Sequence, residues 1–184
     1  MIQVGKMNND TENRFLCGLW GVSITTLLSV LIYKIHEFDI LSTINLSNLA
    51  EIISIPIVVI ITLIVHEAIH ISAFKLLGNG QAKIRVRRDK RAGAIVIQQM
   101  NSELFYDKKA TIVILLAPFV ILTIVSVIML MYIPYPLVIY INCILNAIGS
   151  SIDMYVSLRL IFSFPKDVKI KYNNGEEVGM EIYK

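Results

Sequence analysis

Four long apolar runs alternate with polar segments along the chain, and each run is long enough to cross a lipid bilayer as a helix. A membrane-spanning helix needs about 17–25 predominantly apolar residues, because each residue advances about 1.5 Å through a hydrocarbon core about 30 Å thick. The pattern predicts an all-α membrane protein, a single domain over residues 1–184 that forms a bundle of four transmembrane helices. The predicted spans are Phe15–Tyr33, Ile52–Leu77, Ala110–Tyr132 and Pro136–Phe164.

Two polar segments outside these runs alternate as β-strands do. Between the second and third helices, Lys83–Arg87 alternates basic and apolar residues, and Ala94–Gln98 can return as its partner after a turn at Asp89–Gly93. After the fourth helix, Val168–Tyr172 and Glu176–Tyr183 flank an Asn-Asn-Gly sequence, which is typical of a hairpin turn. We therefore expect a short β-hairpin between helices two and three and a second hairpin at the C-terminal end.

Composition and charge place these elements in a membrane and predict their orientation. Hydrophobic residues make up 55% of the chain and the mean hydropathy is +0.67, values that are high for a soluble domain. Basic residues concentrate between the second and third helices, whereas only Lys34 lies between the first and second. Because cytoplasmic loops carry the excess of Lys and Arg, loop 78–109 and both termini are predicted to be cytoplasmic, in a multi-pass protein of the cell membrane.

Charge and cysteine content also exclude some functions. The net charge of +3 comes largely from the loop that sets the orientation, so it indicates a lipid bilayer as the surroundings and no nucleic acid as a partner. Cys17 and Cys143 both lie in apolar runs, which argues against a disulfide framework and a thiolate metal site. The helices show no convincing small-xxx-small pattern, so the sequence predicts no particular oligomeric state.

The second apolar run contains a His-Glu-x-x-His motif, formed by His66, Glu67 and His70. Two histidines four residues apart lie on one face of a helix, where their rings suit two ligand positions of a tetrahedral zinc. Glu67 points beside that face and can reach a water on the metal without being a ligand. A charged side chain costs about 2.5–3.5 kcal/mol at the bilayer centre, so the setting favours a metal site over a chance polar patch.

A catalytic zinc usually has three protein ligands, and Asp153 is the strongest candidate for the third. It lies in the fourth apolar run, where an unpaired carboxylate is costly, whereas Glu103 and Asp107 lie in or near the polar loop. At about 1.5 Å per residue, the histidines and Asp153 lie roughly 14 and 17 Å from the ends of their helices, and so at a similar depth. The helix face expected to look toward the zinc carries Asn142, Asn146, Gly149 and Asp153.

With these residues, the chain resembles the site-2 protease type of intramembrane zinc metalloprotease, and more closely the small bacterial four-helix proteins described as putative zincin peptidases. The His66-Glu67-x-x-His70 sequence matches the helix-borne motif of the family. Asn146 and Asp153 are similar to its second motif, although this chain lacks the proline and the trailing glycine of that motif. The resemblance implies a catalytic Zn²⁺ and hydrolysis of a peptide bond in or beside a transmembrane segment of a membrane protein or membrane peptide.

The predicted activity is that of a zinc metalloendopeptidase, with His66, His70 and Asp153 as ligands and Glu67 as the general base. A transmembrane substrate must unwind first, because a helix hides its carbonyl groups in internal hydrogen bonds. The strand around Ile95, Val96 and Ile97 is predicted to pair with the unwound substrate, and Asn146 is a further candidate for substrate contact or for helix packing. The same hairpin could instead rest its basic residues on anionic lipid headgroups.

Two other functions stay open from the sequence alone. Intramembrane His, Glu and Asp residues can relay protons or bind a transported metal, although the chain shows no internal repeat of the kind common in transporters. A catalytically inactive membrane interaction protein could keep zinc for structure. The substitution Glu67→Gln separates a protease from a transporter, because a protease loses hydrolysis while its zinc is preserved. A catalytically inactive protein would instead bind zinc without turnover.

Overall fold

The computed structural model describes residues 1–8, 11–36, 49–88, 95–99, 104–130, 132, 136–172 and 179–184, and within them it has five helices and six strands. The helices are α1 (Thr11–His36), α2 (Leu49–Leu77), α3 (Lys108–Leu130), α4 (Pro136–Gly149) and α5 (Ser151–Ser163). The strands are β1 (Gln3–Asn8), β2 (Ile84–Arg88), β3 (Ile95–Gln99), β4 (Phe105–Asp107), β5 (Lys169–Tyr172) and β6 (Gly179–Tyr183).

Two of the helices, α2 and α3, are long and apolar enough to cross a membrane. The qualifying segments are Ile53–Leu77 and Lys108–Met129, and α4 together with α5 makes a third span if the pair is counted as one. The described part of α1 contributes a shorter apolar stretch, Gly18–Leu28. Two or three spans within the described residues are compatible with a membrane protein, and the predicted number of four is not confirmed.

The long helices bury polar side chains and expose apolar ones, which is the reverse of the pattern expected in water. On α2, the side chains of Thr62, His66 and His70 are each only 8% exposed. Leu63 and Ile64, which point the other way, are 59% and 63% exposed. An apolar exterior of this kind is typical of a surface that contacts lipid, and it leaves the polar groups to face one another inside.

The fourth apolar run folds as two helices rather than as the single predicted span Pro136–Phe164. The axes of α4 and α5 differ by 46° at a break between them. The break lies at Gly149-Ser150, and glycine–serine pairs are frequent sites of sharp helix bends. The amide of Ser150 still donates to the carbonyl of Asn146 at 2.9 Å, so the two helices remain in register across the bend. Asp153 therefore lies in the first turn of a separate helix.

A four-stranded antiparallel sheet of order β1-β6-β5-β4 accompanies the helices. The predicted C-terminal hairpin is present as β5 and β6, with Ile170 opposite Ile182, but these strands form the centre of a larger sheet. The fold is mostly helical as predicted, but the prediction of an all-α protein with only a hairpin at the C-terminal end is wrong, because that hairpin is part of a four-stranded sheet. β1 and β4 escape the sequence pattern because β1 (Gln-Val-Gly-Lys-Met-Asn) has few apolar residues and β4 has only three residues.

The hairpin predicted between the second and third helices is present as β2 and β3, each beginning one residue later than predicted. The strands pair in antiparallel fashion, with Val86 opposite Ile97 and Arg87 opposite Val96. The predicted turn at 89–93 lies outside the described residues.

The four-stranded sheet is attached to the helices by a buried apolar cluster. Met7, Ile170 and Ile182 from three strands pack with Leu115 of α3 and Leu160 of α5. Burying apolar side chains from both layers stabilises their association by about 25 cal/mol per Å² of surface removed from water. The sheet is thus fixed against α3 and α5, the helices that flank the site described below.

A buried lysine joins the beginning of α3 to the end of α5. The Nζ of Lys108 donates to the carbonyl oxygens of Ile161 at 3.1 Å and Phe164 at 2.7 Å. The last carbonyl groups of a helix lack partners within the helix and carry a partial negative charge, so a cation at this position stabilises it. This contact fixes the helix that carries Asp153 relative to α3.

Candidate metal centre

His66 and His70 lie one turn apart on α2 and turn toward the other helices. Their ring centroids are 5.0 Å apart and the ring planes meet at 72°. The helix ends soon afterwards, where Asn79 and Gly80 adopt left-handed φ angles of 51° and 73° and the amide of Gly80 donates to the carbonyl of Lys75. This ending is a common helix C-cap, in which the positive φ favours glycine.

Asp153 reaches both histidines from the first turn of α5. Its Oδ2 atom lies 3.2 Å from Nε2 of His70 and 3.8 Å from Nε2 of His66. One donor atom from each of the three residues lies within 4.8 Å of the other two. Two ring nitrogens and one carboxylate oxygen at these separations form a donor set that a tetrahedral zinc accepts, with a fourth position left for water or substrate.

The second nitrogen of each ring is held by an oxygen acceptor. His70 Nδ1 lies 3.0 Å from the backbone oxygen of Ile114, and His66 Nδ1 lies 3.3 Å from Oδ1 of Asn146. Since a carbonyl oxygen only accepts hydrogen bonds, each Nδ1 is assigned the hydrogen. In a neutral ring, each Nε2 then presents its lone pair toward Asp153, which is the orientation that metal-binding histidines adopt.

This arrangement fits a bound cation. An ionised Asp153 and a neutral His70 place two lone-pair donors 3.2 Å apart, and these attract each other only when a proton or a metal ion lies between them. Zinc prefers neutral imidazole nitrogen and carboxylate oxygen among its ligands. His66, His70 and Asp153 therefore have the chemistry and the orientation to hold it.

Glu67 follows His66 on α2 and is half-buried. It interacts electrostatically with both histidines and with Asp153, but it does not belong to the cluster of three donor atoms. A carboxylate beside a metal site, and outside its ligand set, has the position of a general base.

Asn146 is engaged on both sides of its amide and is 2% exposed. Its Oδ1 faces His66, and its Nδ2 lies 3.3 Å from the carbonyl oxygen of Phe119 and 3.4 Å from Oγ1 of Thr123. These contacts fix the Asn146 amide against α3 and direct its oxygen to the His66 ring. The predicted contact of Asn146 with substrate stays a prediction, because its observed partners are all within the protein.

A second polar contact lies one turn away from Asn146 on α4. Asn142 is hydrogen-bonded to the Thr62 hydroxyl and donates to Oγ of Ser126 at 2.9 Å. Gly149, which the helical spacing also places on this face, is exposed. The face of α4 predicted to look toward the histidines is therefore seen at Asn142 and Asn146 and ends at the bend.

The partners on α3 are the part of the site that the sequence analysis missed. They are the hydroxyls of Ser126 and Thr123 and the backbone carbonyls of Ile114 and Phe119. Hydroxyl side chains in an apolar helix give no specific sequence signal. Every residue has a backbone carbonyl, so residue identity does not show which carbonyl accepts a hydrogen bond. One signal was available, because Pro118 comes four residues after Ile114 and so cannot supply the amide that would occupy its carbonyl.

An aromatic cluster begins at Phe74, one turn beyond His70. The ring centroids of Tyr172 and Tyr106 lie 4.9 and 5.8 Å from that of Phe74, and both contacts are edge-to-face. Burial raises the pKa of Tyr106 to about 12, and burial together with the nearby Asp153 charge raises the pKa of Tyr172 well above its ordinary value. Both hydroxyls therefore stay protonated at neutral pH, and this aromatic cluster beside the histidines carries no charge.

A comparison with known protein families gives a match over the same part of the chain. A family model described as putative zincin peptidase matches residues 59–168, more than half of the 184 residues, and this range includes both histidines, Glu67 and Asp153. The chain belongs to this family. Membership of the zincin peptidases supports a metallopeptidase function and implies zinc as the metal. No curated protein and no solved structure matches the chain significantly.

The region that matches the family model also contains β3, in which Ile95, Val96 and Ile97 lie. β3 pairs with β2 on one side and lies close to α2. The backbone of the predicted substrate strand is therefore near the helix that carries both histidines.

Proposed function

We propose that this zincin peptidase is an intramembrane zinc metalloprotease, which hydrolyses a peptide bond in or near a transmembrane segment of a membrane-protein substrate. The observation that carries the proposal is the convergence of His66 and His70 with Asp153, while the other nitrogen of each ring is held by an oxygen. The apolar lengths of α2, α3 and the bent α4–α5 pair support a location in the membrane.

The three donor residues and Glu67 divide the chemistry between them. His66, His70 and Asp153 would hold the metal with two neutral ligands and one negative ligand. When bound, zinc supplies a Lewis acid that attracts the scissile carbonyl oxygen and lowers the pKa of a water to about 7. Glu67 accepts a proton from the attacking water and delivers it to the departing amine nitrogen, so that the peptide bond breaks without a free amide anion.

The decisive experiment compares zinc content with hydrolysis in the same set of variants. Purified wild type and Glu67→Gln are expected to carry about one zinc per chain by mass spectrometry, whereas His66→Ala and Asp153→Ala lose most of it. In liposomes, wild type should cleave a quenched fluorescent single-span peptide that has a Gly-Pro pair in its helix. Glu67→Gln should be at least about 100-fold slower, because general-base catalysis contributes roughly that much.

Glu181→Gln, which changes a carboxylate of the β-sheet in the same way, is the matched control and should keep the wild-type rate. Cleavage by Glu67→Gln at the wild-type rate would exclude it as the base. A wild-type protein that takes up no zinc after loading would rule out the metalloprotease.

We further propose that an unwound substrate pairs with the edge of β3 that β2 leaves open. A hydrolysed segment must be extended, and an exposed strand edge can bind an extended peptide through backbone hydrogen bonds. Successive amides of a strand point to opposite edges, so Val96→Pro and Ile97→Pro remove one amide from each edge. We expect at least one of them to lower kcat/KM about tenfold or more, with zinc content unchanged. Unchanged cleavage in both variants would contradict this docking mode.

A further inference from the structure

The acceptor that orients His70 is an unusual one, because it is a carbonyl group inside a helix. Ile114 is the seventh residue of α3, and its carbonyl oxygen lies 3.0 Å from Nδ1 of His70. Within an α-helix, the carbonyl of residue 114 normally accepts the amide of residue 118. A carbonyl that accepts this amide points along the helix axis and not toward a neighbouring helix. The contact between Ile114 and His70 therefore needs an explanation.

Residue 118 is a proline, which has no amide hydrogen to donate. Its ring also crowds the carbonyl four residues earlier and turns that group away from the helix axis. Pro118 is fully buried, so water does not reach it to replace the missing bond. The carbonyl of Ile114, likewise at a buried residue, finds its partner in His70 on α2 instead. The buried acceptor is thereby satisfied, as buried polar groups in native proteins almost always are.

We propose that Pro118 is a positioning residue of the metal centre: it frees the Ile114 carbonyl, and this carbonyl fixes the His70 ring with Nε2 facing Asp153. The inference rests on the proposed zinc centre, and it assigns a role to a residue that contacts neither metal nor substrate. It also explains why α3 keeps a helix-disrupting residue at a buried position. A proline that served only to kink the helix would not need a hydrogen-bond donor at the freed carbonyl.

The substitution Pro118→Ala restores an amide that competes with His70 for the Ile114 carbonyl. We expect the zinc dissociation constant, measured by competition with a chelator of known affinity, to rise about 10–100-fold, as it does when an outer-shell partner of a metal ligand is lost. The thermal unfolding temperature should stay the same or rise, because α3 gains a hydrogen bond and loses a proline. Affinity and stability thus move in ways that general damage to the fold would not produce.

Pro56→Ala is the matched control. Pro56 also lies inside an apolar helix, ten residues before His66, but its side chain is exposed rather than packed beside the metal centre. Its replacement should strengthen α2 in the same way and leave zinc affinity at the wild-type value.

Lactic acid at position 118 isolates the missing amide. This hydroxy acid has the side chain of alanine and an ester oxygen in place of the N–H, so it should keep near wild-type zinc affinity and the Nδ1–H form of His70 in ¹⁵N NMR spectra. Wild-type affinity in Pro118→Ala would overturn the inference and leave the proposed protease standing. Equal weakening by alanine and lactic acid would also overturn it, and a wild type that binds no zinc would remove both proposals.

Discussion

Two asparagines one turn apart on α4 hold different partners on α2. Asn146 faces Nδ1 of His66, whereas Asn142 is hydrogen-bonded to the hydroxyl of Thr62. Each also reaches α3 through its amide nitrogen, so both contribute to packing of three helices. Only Asn146 contacts a proposed metal ligand. We therefore expect Asn146 to support the metal centre and Asn142 to contribute only to helix packing.

Asn146→Ala is expected to weaken zinc binding about 10–100-fold, because the His66 ring loses the acceptor that fixes its tautomer and direction. Asn142→Ala serves as the control, since it removes a similar, half-buried polar network next to Thr62 and should lower thermal stability without changing the zinc dissociation constant. Chelator competition and thermal unfolding of both variants give the comparison. Equal zinc affinity in the two variants would contradict a positioning role for Asn146.

At this scale the sequence identified the residues that cluster, and it did so for physical reasons. The spacing of His66 and His70 predicted a shared helix face, and the cost of a carboxylate in an apolar run pointed to Asp153. Their close approach is observed, whereas their roles stay predictions. The carbonyl of Ile114 was missed because a side-chain inventory contains no backbone acceptors.

Hydropathy alone did not predict the bend between α4 and α5. The apolar run continues through Gly149-Ser150-Ser151, so its length predicted one span, while the local residues permit a 46° turn.

β1 was missed for a different reason. It has few apolar residues, and its partner β6 lies far away in the sequence, so no local pattern can reveal the pairing.

The orientation of α5 depends on its attachment to α3, and this predicts a large effect at Lys108. Lys108→Met removes two charge-assisted hydrogen bonds to the carbonyls of Ile161 and Phe164 and should lower the free energy of unfolding by about 1.5–3 kcal/mol. The neighbouring Lys109 is exposed, so Lys109→Met should stay within about 0.5 kcal/mol of wild type. Denaturant titration in mixed micelles measures both values. A similar loss in the two variants would contradict the capping role.

For the whole molecule, the chain order sets which ends of the helices lie together. β1, β4 and β5 adjoin α1, α3 and α5, so the four-stranded sheet collects these chain ends on one side. Tyr132 comes two residues after the end of α3, opposite the end that adjoins β4. The distribution of Lys and Arg predicts that the side of the sheet faces the cytoplasm.

Cysteine labelling in intact cells tests this orientation. In a background with Cys17 and Cys143 replaced by alanine, Tyr132→Cys should react with a membrane-impermeant maleimide, since Tyr132 is exposed on the predicted outer side. Lys166→Cys, exposed beside the sheet, should react only after the membrane is permeabilised. The opposite pattern of labelling would reverse the predicted topology.

The pairing of β1 with β6 also sets an order of events during synthesis. β1 leaves the ribosome before every helix described here and β6 after all of them, yet Gln3 lies opposite Tyr183 in the finished sheet. A nascent chain that has just completed α5 already contains His66, His70 and Asp153, but β6, the strand that pairs with β1, has not yet been synthesised. Contacts between residues so far apart in sequence form slowly, and an unpaired strand edge invites pairing with other chains. Closure of the sheet therefore follows the synthesis of all five described helices, and until it occurs the chain is exposed to aggregation and to quality-control proteases.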